Sequence, residues 1–215
     1  MKKSLLLIVT VLFGVLILKN QVYAEDIDTI TVITIPVDSN ILLSTNAIID
    51  IQELENSLPE GESLYPPTST RAAKVSISYQ AHIQNYGWTG ELDASATSAI
   101  GTTGQSLRME AIKVWLKQGS SRLSGIKYQV HVQDIGWMYP DAKNGATAGT
   151  VGFSKQLEAI TIQLTGAYAT RYGVRYRVHV AGKGWLPLVG NGAVAGTTKE
   201  NRKIEAIQVY LTYLS

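Results

Sequence analysis

Three residue types that could carry chemistry recur at matched positions in this sequence of 215 residues. Each of the three histidines lies six residues before a tryptophan, and a glutamate in the sequence Glu-Ala-Ile follows in each copy. The repeated residues are His82, His131 and His179, Trp88, Trp137 and Trp185, and Glu110, Glu158 and Glu205. Tryptophan beside histidine can stack on a sugar and hydrogen-bond to it, three imidazoles can bind zinc, and carboxylates can transfer protons.

The repeated tryptophans have two interpretations. On an unbroken strand, a separation of six residues places tryptophan and histidine on one face, where both could contact a ligand. A tryptophan that recurs once per repeat after a glycine is more often a wedge that fills the space between repeats. We favour the core wedge and keep the three tryptophans as candidate ligand residues. Trp115 lies outside the repeat, and we expect it at the surface or between units.

The histidines alternate with Tyr, Val and Ile, which places them on the polar strand face with Gln, Lys and Arg. Three imidazoles on outward faces do not converge on a central axis, so we predict no metal site and no cofactor. We expect the histidines to be solvated or hydrogen-bonded cross-strand partners, and we keep them as candidate ligand residues beside the tryptophans. Arg175 and Arg177, on the same face as His179, are further candidate ligand residues.

The glutamates are predicted to be structural. Each repeat has one of them, whereas glycoside hydrolysis uses two carboxylates at one site. A Gly-Thr pair stands nine residues before each glutamate and could donate backbone amides to its carboxylate. The chain has no cysteine, and it shows no nucleophile elbow and no phosphate-binding loop. We therefore expect no enzymatic activity.

Short β-strands must position these residues, because apolar and polar residues alternate with a period of two. A tyrosine three residues before each histidine falls on the apolar phase and is expected to be structural; these are Tyr79, Tyr128 and Tyr176. Asn-Gly pairs at 144–145 and 191–192 are typical of hairpin turns. The pattern predicts about four short antiparallel strands in each repeat.

The repeats define three tandem units of about 48 residues, at 75–118, 125–165 and 173–212. Each unit is too small to bury its own apolar faces, so the units must pack on one another. Closure with pseudo-threefold symmetry achieves this without long exposed sheet edges. We predict an all-β domain over 75–215, β-prism-like, with a β-trefoil as the alternative.

The N-terminal segment 1–24 has the features of a secretory signal peptide. Lys2 and Lys3 precede an apolar run from Leu5 to Leu18, and Val22-Tyr23-Ala24 before Glu25 fits the pattern of a cleavage site. An uncleaved N-terminal anchor is the alternative interpretation. Signal cleavage predicts an extracellular protein, secreted or held non-covalently at the cell surface, with no membrane contact of its own.

Charge is divided unevenly along the chain. Residues 25–70 contain nine acidic residues and no Lys or Arg, whereas residues 71–215 contain 16 basic and 8 acidic residues, a formal charge of +8. We expect residues 25–74 to be an acidic arm and linker, largely extended or disordered, with one strand-like stretch at 29–35. A basic domain behind an acidic arm predicts an anionic partner.

The repeats resemble the clostridial hydrophobic W repeat, or ChW repeat, in three copies over about 75–212. The resemblance rests on the stretches at 79–88 and 101–112 and on their counterparts. It implies a secreted or surface-attached protein of Gram-positive bacteria, associated with adhesion or carbohydrate contact, without known catalytic residues. Family repeats commonly have a second tryptophan shortly after Gly-Trp; here Leu92, Tyr139 and Leu188 stand at those places.

Two functions from different classes are therefore expected. The first is an adhesion-type binding module for a cell-wall polymer or a surface carbohydrate, supported by the basic domain and by three similar surfaces. The second is a structural or self-assembling surface protein, in which the acidic arm pairs with a neighbouring domain. Nucleic acid is not expected to be the primary partner.

Overall fold

The computed structural model describes residues 7–12, 15–20, 55–64, 75–118 and 120–214. The chain divides into two units, residues 1–41 and 42–215. In the first unit, strand β1 (Leu7–Leu12) pairs antiparallel with strand β2 (Val15–Asn20). The strand predicted at 29–35 lies outside the described residues.

The second unit contains the three predicted repeats. A short strand of the arm comes first, β3 (Glu62–Ser63). Unit one contains β4 (Val75–Ile83), β5 (Gly87–Trp88), β6 (Leu92–Asp93), β7 (Ile100–Gly101) and β8 (Met109–Gln118), and β9 (Ser121–Leu123) follows it. Unit two contains β10 (Ile126–Val132), β11 (Gly136–Trp137), β12 (Ala142–Lys143), β13 (Ala148–Gly149) and β14 (Leu157–Leu164). After a 3₁₀ helix (Gly166–Tyr168), unit three contains β15 (Tyr172–Val180), β16 (Gly184–Trp185), β17 (Val189–Gly190), β18 (Ala195–Gly196) and β19 (Ile204–Leu214).

Each unit thus has two long strands and three strands of two residues, one more strand than the sequence predicted. The long strands pair antiparallel with one another: β4 with β8, β10 with β14 and β15 with β19. The extra strand arises because the chain reverses directly after each histidine-bearing strand. In unit one this turn has positive φ at Asn85 and Gly87, so Gly-Trp runs back along β4.

The repeated tyrosines lie in the core, where their side chains are at most 1% exposed. Every second residue of β10 is buried, as its alternating sequence predicts. The hydroxyls of Tyr79, Tyr128 and Tyr176 donate hydrogen bonds to the backbone carbonyls of Ser98, Ala146 and Ala193, respectively. Burial raises the pKa of Tyr128 and of Tyr176 to about 12. Each tyrosine therefore ties the loop of its unit to its long strand.

The units are joined by exchanged strands. In each case a two-residue strand of one unit pairs with the last long strand of another: β13 with β8, β18 with β14 and β7 with β19. Unit two thus pairs with unit one, unit three with unit two, and unit one with unit three. The pairings run in a ring through all three units, and the hydrophobic core draws residues from each of them.

The glycine of each Gly-Thr pair is required by this exchange. Gly149 has φ of +110°, and a Cβ atom there would lie 2.4 Å from the carbonyl oxygen of Glu110 in unit one. Gly101 and Gly196 face Glu205 and Glu158 in the same way. Only glycine lets two backbones approach this closely, which explains why the pair recurs in every unit.

Trp115 is an inter-unit packing residue. It is 7% exposed, and the guanidinium carbon of Arg122 lies 4.0 Å from the centre of its ring. A Cβ atom on Gly145 of unit two would lie 1.8 Å from the Trp115 indole nitrogen. The hairpin of unit two is therefore pressed against unit one, one of the two placements expected from the sequence.

The predicted fold class is confirmed: the domain is all-β and consists of three antiparallel repeats. The long strands form three separate curled sheets, one for each unit. A β-trefoil would bring long strands of successive units into one shared barrel. The separate sheets therefore favour the prism-like arrangement over the β-trefoil.

The exchange can be tested at Gly149. We expect Gly149→Ala to lower the free energy of unfolding by about 1–3 kcal/mol more than Gly152→Ala, because alanine at 149 must also displace the backbone of unit one. Gly152 is the matched control, since it has φ of +81° and no atom within 4 Å of a Cβ. Denaturant unfolding measures both losses, and equal losses would contradict the close approach.

Candidate binding site

The turn after each histidine-bearing strand brings histidine and tryptophan together. The two residues are direct cross-strand partners: His82 with Trp88, His131 with Trp137, and His179 with Trp185. Their rings meet edge to face, with centroids 5.4, 5.5 and 5.6 Å apart and interplanar angles of 79° to 83°. The same aromatic pair therefore stands on the polar face of every unit.

A β-bulge places the repeated glutamate beneath each pair. In unit one, His82 is opposite Ala111 and Ile83 is opposite Met109, so that Glu110 between them has no partner in the register. The register shift recurs at the corresponding residues of the other two units. A bulge redirects a side chain, and here it accompanies a contact between the glutamate carboxylate and the histidine ring.

The histidine–glutamate contacts are nearly identical in the three units. Nδ1 of the histidine lies 3.0, 3.0 and 3.1 Å from Oε2 of the glutamate: His82 with Glu110, His131 with Glu158, and His179 with Glu205. Each glutamate is 4% exposed, whereas the histidine side chains are 15–17% exposed. These contacts are close, but the Nδ1 atoms have no hydrogen-bond partner of regular geometry.

The carboxylates differ in their second partner. Arg108 contacts Glu110, with Nη2 at 2.7 Å and Nε at 2.9 Å from Oε1. At the same position of unit two, Gln156 donates a hydrogen bond of 3.2 Å to Glu158. Buried carboxylates need such donors.

The expected contact between the Gly-Thr amides and the carboxylates is wrong. The threonine amide binds the backbone carbonyl of a glutamate instead, and that glutamate belongs to a different unit. Thr150 N, for example, donates to Glu110 O at 2.9 Å. The exchange of β13 onto β8 brings these two backbones together.

The interpretation of the tryptophans as core wedges is also wrong. Trp88, Trp137 and Trp185 are half-buried, and none belongs to the hydrophobic core. The turn directs each ring onto the polar face, beside the histidine. The candidate ligand residues His82, His131 and His179 stand there with them.

Cations cover two of the three tryptophan rings. Lys113 Nζ lies 4.2 Å from the centre of Trp88, and the guanidinium carbon of Arg177 lies 5.0 Å from the centre of Trp185. For Trp137, no such cation is found among the described residues. The three sites therefore share a frame but differ in what lies over the aromatic ring.

The family comparison agrees with these repeats. The description "Clostridial hydrophobic W" matches residues 82–118, 131–166 and 179–213, together about half of the chain, and each match begins at the histidine of a unit. The chain belongs to the clostridial hydrophobic W (ChW) family. Membership indicates a repeat-containing surface protein. Comparisons with curated proteins and with solved structures found no match.

The two arginines proposed as ligand residues have partners within this ChW protein. Arg175 pairs with Glu62, and Arg177 donates a hydrogen bond of 2.8 Å to Gln208 while it covers Trp185. Their engagement leaves the tryptophan and histidine rings as the shared features of the site.

Glu62 belongs to the end of the acidic arm, where β3 pairs with β19 at the edge of unit three. Its carboxylate accepts hydrogen bonds from Arg175 Nε at 2.8 Å and from Thr212 Oγ1 at 2.7 Å. Burial alone would raise the pKa of Glu62, but these hydrogen bonds and the charge of Arg175 hold it below its ordinary value. The division of charge had placed the chain's own arm among the anionic partners of the basic domain, but it did not predict which residues make the contact.

Two further features concern only the described parts of the ChW chain. In them, no group of three or more His, Asp or Glu residues is arranged to hold a metal ion. No helix in these ranges has the length and apolar character that a membrane span requires.

The histidine–glutamate contacts predict unequal effects of one substitution. We expect His131→Ala to lower the free energy of unfolding by about 1–2 kcal/mol more than His82→Ala, because Glu110 keeps the Arg108 guanidinium whereas Glu158 keeps only an amide. Denaturant unfolding at neutral pH measures the difference. The double variant His82→Ala, Arg108→Ala should lose as much stability as His131→Ala. Equal losses from the two single variants would contradict the histidine–glutamate contacts.

Proposed function

We propose that this ChW repeat protein is a non-catalytic binding module, secreted or associated with the cell surface, that recognises a surface carbohydrate or an anionic wall polymer in adhesion. The observation that carries the proposal is the half-buried pair of tryptophan and histidine on the polar face of each unit. An aromatic face beside hydrogen-bonding groups suits a sugar ring.

The repeated carboxylate favours binding over catalysis. Within each unit the glutamate is buried beneath the histidine, and it holds that ring in place rather than facing a substrate. A glycosidase would need a second carboxylate beside the first. In this proposal the glutamate is therefore a positioning residue, and the tryptophan is the contact residue.

Repetition would strengthen weak contacts. Polysaccharides and wall polymers present the same group many times, so similar surfaces on one rigid domain can engage one polymer chain together. The formal charge of +8 on residues 71–215 would add attraction to an anionic polymer, and this part of the binding would weaken with salt.

Retention on immobilised wall polysaccharide tests this function. We expect the triple variant Trp88→Ala, Trp137→Ala, Trp185→Ala to lose retention while it still unfolds cooperatively, because these rings lie outside the core. Trp115→Phe is the control, since Trp115 packs between units, and this variant should be retained like the parent. Parental retention of the triple variant would contradict the proposal.

The docked arm favours a second candidate, a self-assembling surface protein. The edge of β19 pairs with β3, and Arg175 donates hydrogen bonds to the Glu62 carboxylate, so a neighbouring chain could supply the same acidic strand. Size-exclusion chromatography at several protein concentrations tests this candidate. An elution volume that depends on concentration in the parent, but not in a Glu62→Gln variant, would favour assembly over polysaccharide binding.

A further inference from the structure

The three units present the same polar face but fill it differently. The residue three positions after the repeated glutamate is Lys113 in unit one, Thr161 in unit two and Gln208 in unit three. Lys113 covers Trp88, and Gln208 binds Arg177, which covers Trp185. Thr161 is uncharged and short, so it can neither cover the ring of Trp137 itself nor hold a cation over it.

A second position repeats this contrast. Five residues after the glutamate stand Trp115 and Tyr210, which are 7% and 2% exposed and fill the face of their units. Unit two has Gln163 there, and its side chain is exposed. Short or exposed polar residues thus replace larger residues at two neighbouring positions of the middle unit.

The result is an open cleft on the surface of unit two. Its polar groups come from Lys127, Gln129, Asp141, Thr161 and Gln163, and Gly192 of unit three closes one end.

The cleft lies on the strand that carries the histidine of the aromatic pair, although neither His131 nor Trp137 lines it. Gln129 lies two residues before His131 on the same strand face, and its amide donates a hydrogen bond of 2.8 Å to the backbone carbonyl of Met138, next to Trp137. Thr161 is the register partner of Gln129. The position that carries the covering lysine in unit one therefore borders the cleft in unit two.

The charges of the cleft are balanced. Lys127 Nζ lies 3.1 Å from Asp141 Oδ2, so that one cation and one anion stand side by side. An adjacent donor and acceptor, with amide and hydroxyl groups beside them, suit neighbouring sugar hydroxyls better than a carboxylate or phosphate. A ligand charge of either sign would meet a like charge in this pair.

We propose that the middle unit carries the one open ligand site, and that this site takes an uncharged sugar residue which stacks on Trp137 and hydrogen-bonds in the cleft. The inference rests on the proposed binding function and narrows it to one unit and one ligand class. In units one and three, the chain's own cations occupy the corresponding place over the ring.

The probes for a test are soluble uncharged polysaccharides (a galactan, a mannan and an N-acetylglucosamine oligomer) and one anionic polymer, polygalacturonate. Titration calorimetry with the full chain should give one site per chain for an uncharged probe. Thr161→Lys, which introduces the residue of unit one, should weaken this binding at least about tenfold. Thr161→Ser should bind like the parent, and so should Trp88→Ala and Trp185→Ala.

Asp141→Asn separates the two ligand classes. This substitution leaves Lys127 unpaired. It should therefore weaken the binding of an uncharged sugar, and it would strengthen the binding of an anionic polymer in the same cleft. Thermal unfolding of each variant shows whether a loss of binding is caused by a loss of folding. If Thr161→Lys has a much lower melting temperature than the parent, the binding of the Asp141→Asn and Trp137→Ala variants tests the site instead. If the cleft variants bind like the parent while Trp88→Ala and Trp185→Ala weaken binding equally, this inference is wrong but the proposed function still stands. If the parent protein binds none of the probes, the proposed function is overturned as well.

Discussion

A single backbone hydrogen bond, made three times, is the constraint on which the rest of the structure depends. The threonine amide of each Gly-Thr pair donates to a glutamate carbonyl of another unit, at 2.8 to 2.9 Å. The bulge at that glutamate accompanies the contact of its carboxylate with the histidine beside tryptophan. The glutamate that joins two units by its backbone therefore also positions the candidate binding face by its side chain. The Gly-Thr pair and the glutamate nine residues after it do not contact each other, because each binds a residue of a neighbouring unit.

Much of this architecture could be predicted because it follows from local pattern. Alternation predicted the long strands and the buried tyrosines, and rare residues at equal spacing defined the three units. The partner of each Gly-Thr pair could not be predicted, because a spacing within one unit does not say which copy of the glutamate lies opposite. The tryptophans were misplaced because a tryptophan that recurs after a glycine is typical of packing between repeats, whereas here the turn returns each ring to the strand face of its histidine. A turn signal was present: Asn85, Asp134 and Gly182, each two residues before a glycine, all have positive φ.

Symmetry in the frame coexists with divergence on the surface. The core, the bulges and the exchanged strands are repeated, since a change in one copy would disturb two units at once. The polar faces carry no such constraint, and there Lys113, Thr161 and Gln208 have diverged at one position. The arm adds to this asymmetry, because Glu62 occupies Arg175 in unit three alone. A threefold scaffold can in this way support a ligand site in one unit.

Hydrogen exchange at the three threonine amides tests the central claim most directly. The amides of Thr102, Thr150 and Thr197 make the three contacts between units, and the contact of Thr102 with Glu205 joins the first unit to the last. If the units form a ring, all three amides should exchange only through global unfolding and show the same protection. Rapid exchange of Thr102, with Thr150 and Thr197 still protected, would show an open row of repeats and contradict the account.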